Sequence, residues 1–69
     1  MRVKFGDHID ECTRVTNPKG SATLIFESNN GTCTVDFTHE EYAKDCIKRI
    51  LVNGYVDLSR YSCNSLIKW

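Results

Sequence analysis

Within the stretch FGDHIDEC at residues 5–12, three acids (Asp7, Asp10, Glu11), an imidazole (His8) and a thiol (Cys12) crowd into six consecutive positions. Such groups ligate cations, shuttle protons or attack electrophiles. A divalent cation is the first chemistry to consider, with His8, Asp10, Glu27 and Asp36 as the candidate metal ligands. A thiol hydrolase is the second, and it needs a thiolate within hydrogen-bond reach of an imidazole. On a strand, His8 and Cys12 lie two alternate positions apart, too far for a direct bond. His39 with Cys33 is the other pair, but His39 falls beside a predicted helix cap and Cys33 reads as core. No nucleophile elbow, phosphate-cradling glycine loop or H-E-x-x-H pattern is present. The sequence therefore predicts no enzyme and no cofactor, and leaves metal-dependent or thiol catalysis as the third-ranked reading.

Whatever those residues do, one small domain must position them. The 69 residues predict a single domain, 1–69, because a chain this short buries only about 60% of its unfolded surface. Nine basic and nine acidic residues cancel, so there is no overall field to draw nucleic acid or an anionic membrane. Lys4, Phe5 and Arg14, or Lys44, Lys48 and Arg49, make only a thin basic strip. A nucleic-acid-binding accessory protein is accordingly the second-ranked function. Neither a signal-peptide core nor an apolar run of about 18 residues appears, which predicts no membrane contact and a cytoplasmic location. In that reducing setting Cys12, Cys33, Cys46 and Cys63, which include no C-x-x-C pair, read as small buried hydrophobes.

The clearest element signal is TLIFES-NNG-TCTVDF, two strands joined by a tight turn. With Asn30-Gly31 as the loop, Phe26 faces Val35 and Leu24 faces Phe37; with Asn29-Asn30 the same side chains share a face. The helix signals at 39–52 are equally full. Thr38 and Glu41 fit a capping box, Phe37 and Tyr42 a hydrophobic staple, and Asn53-Gly54 a left-handed stop. Tyr42, Ala43, Cys46, Ile47, Ile50 and Leu51 form the apolar stripe, and Glu40–Lys44 and Asp45–Arg49 pair at i,i+4 on the wet side. Upstream, Asn-Pro-Lys-Gly at 17–20 predicts a turn between strands at 8–15 and 23–28, and Gly6-Asp7 turns a first strand at 2–5 onto the second. Residues 55–69 fit a strand, with Val56 and Leu58 opposite Tyr55, Asp57 and Tyr61, or a short helix from 59 to 69. The predicted fold is α+β: an antiparallel meander of three to five strands with the helix across one face.

A four-residue 17–20 loop pairs Val15 with Ala22 and Glu11 with Phe26. It turns Ile9, Glu11 and Val15 toward the helix and His8, Asp10, Cys12 and Arg14 away from it. That register sets Asp10 opposite Glu27 on an open face that also carries Phe5 and Ile25. Facing carboxylates need water, a cation or a partner. With isolated hydrophobes on that face and no reaction centre, the sequence predicts a protein-binding module, with Phe5, Asp10, Cys12, Arg14, Ile25 and Glu27 as partner-binding residues. A second copy of the chain is one possible partner. By analogy of size alone, such a module fits the small regulators or inhibitors that phages and mobile elements encode. Phe5 and Trp69 have a plainer role open to them, closing the ends of the core.

Overall fold

A computed structural model describes residues 1–18 and 21–68, the side chains of 66–68 apart. Its elements are β1 (Arg2–Phe5), β2 (His8–Thr16), β3 (Thr23–Ser28), β4 (Gly31–Phe37), α1 (Glu40–Asn53), β5 (Tyr55–Asp57), a 3₁₀ turn (Leu58–Arg60) and β6 (Cys63–Lys68). The fold is α+β, with one six-stranded sheet in the order β5-β1-β2-β3-β4-β6. Strands β1 to β4 are the predicted antiparallel meander, and the segment after the helix extends it at both edges. The predicted count and purely antiparallel pairing are both corrected: β5 runs parallel to β1, Val56 beside Val3, and β6 runs antiparallel to β4. A parallel neighbour requires a crossover, and α1 supplies it by leaving β4 and arriving at β5.

The same connectivity bends the sheet. Even fully extended, the chain from Asp57 to Cys63 reaches at most about 22 Å, less than the roughly 24 Å between the edges of a flat six-strand sheet. With a 3₁₀ turn in that connection the reach is shorter still, so the edge strands curl toward each other around the helix. The concave face supplies Val3, Phe5, Cys12, Leu24, Phe26, Cys33, Val35 and Phe37 to the core, and α1 answers with Ala43, Cys46 and Ile50. Phe5 meets Phe26 edge to face, ring centroids 5.9 Å apart.

Local chemistry explains most element ends. The two-residue turn of the first hairpin needs a positive φ that glycine supplies, and Gly6 adopts +61°. Helix α1 stops where Gly54 takes φ 68° and donates its N–H to the Ile50 carbonyl at 2.8 Å. Its start differs from the capping-box reading. His39, not Thr38, is the N-cap residue, and it offers no side-chain cap, its ring meeting Tyr42 edge-on at 5.1 Å instead. In the central hairpin Asn29-Asn30 form the loop and Ser28 faces Gly31, which puts Phe26 opposite Cys33 and Leu24 opposite Val35. Residues 58–68 continue as the 3₁₀ turn and β6 rather than a helix, while Trp69 and the Lys19–Gly20 half of the predicted turn lie outside the described residues.

Strand β2 carries the consequential difference. Cys12 pairs with Ser28 but Arg14 pairs with Glu27, so Thr13 is an extra residue, a β-bulge. Alternation counted back from Val15 is therefore inverted before the bulge. Asp10 and Cys12 face the core, and Ile9 and Glu11 face outward.

Candidate functional site

The bulge separates the four residues that were candidates for holding a cation. Asp10 sits on the concave side opposite Val3, His8 opposite Phe5, Glu27 pairs with Arg14 at 3.7 Å, and Asp36 accepts a hydrogen bond from the Thr23 hydroxyl at 2.7 Å. Among the described residues no three His, Cys, Asp or Glu side chains converge as metal ligands. The expected partner surface divides in the same way: Phe5, Asp10 and Cys12 are buried beneath the helix side, whereas Arg14, Ile25 and Glu27 remain on the convex face. The facing pair Asp10–Glu27 does not form.

What that convex face holds is largely self-compensated. Arg2 stands opposite Glu11 and over the Tyr55 ring at 5.8 Å, and Lys4 approaches Asp57 at 3.9 Å. Thr13 donates to the Glu27 carbonyl at 3.2 Å. Ion pairs this exposed contribute little stability, but they leave few charges unanswered.

Asp10 is 8% exposed, and its Oδ1 accepts from the Glu11 backbone N–H at 3.0 Å and from the Asn30 amide at 3.3 Å. Its Oδ2 is buried with no donor among the described residues. A buried polar atom without a partner costs about 1–3 kcal/mol. Asp10→Asn keeps the accepting oxygen and puts an amide N–H group where Oδ2 finds no partner, so it is expected to change the stability by less than about 1 kcal/mol. A larger loss in the urea midpoint would show that Oδ2 accepts a hydrogen bond in solution.

A different cluster assembles where α1 faces the turn into β6. Tyr42, Asp45 and Arg49 recur at three- and four-residue spacing and so share a helix flank. The chain reversal after β5 brings Arg60, Tyr61 and Ser62 against it. Asp45 Oδ2 accepts from the Tyr61 hydroxyl at 2.7 Å and from Arg49 Nε at 3.0 Å. Phe37 meets the Tyr61 ring edge-on at 5.5 Å, and Tyr42 lies 6.1 Å from it. The Tyr61 hydrogen bond, then that of Arg49, holds the Asp45 carboxyl below its ordinary range. Burial, reinforced by Asp45, pushes the Tyr61 hydroxyl up, so it stays a neutral donor. A carboxylate already holding two donors and a phenol held neutral are poorly placed to exchange a proton with each other or with a substrate.

Two open clefts flank this cluster. One, of about 470 Å³, lies among Glu41, Tyr42, Asp45, Arg49, Arg60, Tyr61 and Ser62; the other, of about 260 Å³, is lined by Asp45, Lys48, Arg49, Val52 and Asn53. Beside the second, Leu51 is 81% and Val52 73% exposed. The predicted stripe misplaced Leu51. The buried trio Ala43, Cys46 and Ile50 fixes the inward direction, and at 100° per residue Leu51 points roughly 105° away from it. The Asp45–Arg49 pair was legible as an i,i+4 spacing, but no local signal joins either to Tyr61. No family model matches the chain, and no curated protein or solved structure shows significant similarity to it.

Proposed function

We propose that the protein acts by stoichiometric binding to a protein partner, as a small regulator or inhibitor, and that it presents the outer surface of α1. The exposed dipeptide Leu51-Val52 carries this reading. Two large aliphatic side chains stand in solvent on the last helical turn, Val52 lining the smaller cleft, and Lys48 lies three and four residues before them on the helix. The convex sheet face offers less: Ile25 is half-buried, Ile9 is 53% exposed, and their neighbours are paired charges. Nucleic acid is the weaker fit: Glu40 answers Lys44 at 3.3 Å, and Glu41 and Asp45 stand among the basic side chains of the cleft, so a chain of phosphates would meet opposing charge there.

The test compares two double variants as baits in the source organism's lysate: Leu51→Asp with Val52→Asp, and Arg14→Glu with Ile25→Asp. All four positions lie outside the buried core, and because Arg14→Glu sets a second carboxylate opposite Glu27, far-UV circular dichroism of each bait establishes its fold before binding is compared. The helix pair is expected to release the specific partner, weakening binding by about 30-fold or more as hot-spot losses do, while the sheet pair retains it. Loss only in the sheet pair would return the interface to Arg14, Ile25 and Glu27. Sedimentation of the purified chain identifies a second copy as the partner if the helix pair abolishes a concentration-dependent dimer.

A further inference from the structure

Resting on the protein-binding reading, we infer that the two clefts along α1 are one continuous groove for an extended acidic segment of the partner. Arg49 reads a carboxylate at its centre, the Tyr42–Tyr61 pair takes an apolar side chain at one end, and Val52 takes one at the other. Asp45 and Arg49 line both clefts, so the clefts adjoin at this pair. Asp45 anchors Arg49 through Nε, and Tyr61 anchors Asp45 in turn. A guanidinium has five N–H donors in a fixed fork, so those contacts leave donors over, already oriented, and an incoming carboxylate meets a side chain whose ordering cost is small.

The charge balance selects an acidic occupant. Asp45 is answered from within the cluster, whereas Lys48 in one cleft and Arg60 in the other make no ion pair among the described residues. Glu41, at the tyrosine end, is the opposing charge, and it disfavours a second acid of the segment there. A polynucleotide, charged at every residue, would meet Glu41 as well as Asp45.

Spacing on the helix sets spacing in the ligand. From Tyr42 to Arg49 is about 10 Å along the axis and from Arg49 to Val52 about 5 Å, which an extended chain covers in about three residues and one to two residues. The segment recognised is therefore an Asp or Glu with an apolar side chain about three residues to one side and another one or two residues to the other.

A random dodecapeptide display library selected on the immobilised full chain tests this directly. Enriched peptides are expected to share that pattern. A synthetic consensus peptide should lose at least tenfold in affinity by fluorescence anisotropy when its acid becomes the amide. Against Arg49→Gln the same change should cost less than threefold, because the two groups act as a pair. Arg49→Lys, which keeps the charge but not the fork, should fall between them. Enriched peptides without an acid, or an acid equally important to wild type and Arg49→Gln, overturn carboxylate reading by Arg49 while leaving protein binding through Leu51 and Val52 intact. No enrichment overturns the linear-segment groove, and the bait comparison above then decides protein binding separately. Arg49-dependent binding of a thymidine dodecamer, with none of the peptide, overturns it in favour of nucleic acid.

Discussion

Phe26→Ala is expected to remove about 3–5 kcal/mol of stability at 25 °C, roughly a third or more of what the fold has. Phe26 is fully buried, lies opposite both Val15 and Cys33 in the sheet, and meets the Phe5 ring edge-on, so it joins β1, β2, β3 and β4 beneath the helix. Truncating a buried phenylalanine costs about 3–5 kcal/mol, part transfer and part cavity. At the ordinary rate of about 0.05–0.15 kcal/mol per residue, a chain of this length has roughly 3–10 kcal/mol in total. Phe26→Leu, which retains most of the volume, should cost about 1–1.5 kcal/mol and stay folded. Far-UV circular dichroism and urea midpoints measure both. An alanine variant that unfolds with a loss under about 2 kcal/mol would mean that the core collapses into the cavity, and that Phe26 is not the joint its contacts make it.

The contrast between Phe26 and Asp10 shows what the sequence could specify. Phe26 falls on the buried face under either turn placement, because shifting the loop from Asn30-Gly31 to Asn29-Asn30 preserves parity. Helix α1 was legible for a similar reason. Its stop at Gly54 and its Glu40–Lys44 and Asp45–Arg49 pairs depend only on residues a turn apart. Asp10 depends on Thr13, where one inserted residue inverts the strand, and nothing in HIDECTRVT announces a bulge there. The candidate interface followed that inversion: Phe5, Asp10 and Cys12 went into the core, and the surface left behind is internally paired. Strand β5 and the Tyr61–Asp45 contact depend on where the chain goes after Gly54, and long-range placement leaves no local periodicity to read. Leu51 lies between these cases. Its spacing is helical, but the sheet supports only the arc set by Ala43, Cys46 and Ile50.

The thiols give the second large effect, a steep loss of stability in alkali. Cys12, Cys33 and Cys46 are buried at 0–1% exposure, and burial pushes their thiols up to about 11, about 11 and about 12 from an ordinary value near 9. Tyr61 shifts in the same direction, through burial and then Asp45. A group whose folded value is raised contributes its full stability below the unfolded value and loses it as pH climbs to the folded one. The thiol window therefore opens near pH 9 and closes near 11–12. Across it the unfolded chain releases protons that the folded chain keeps, at about 1.4 kcal/mol per pH unit for each proton. Three thiols together amount to a loss on the order of 7 kcal/mol by pH 11, comparable with the whole stability of such a domain. The urea midpoint should hold steady from pH 7 to 8.5, fall steeply above 9, and vanish near 11. Cys46→Ala should begin lower, for its cavity, and fall more gently, for its missing proton. A midpoint unchanged from pH 8 to 10.5 would mean that these thiols ionise as readily in the fold as out of it, and only water reaching the concave face could allow that. Stability that declines on this schedule assigns the thiols to packing, as small hydrophobes that the fold keeps dry.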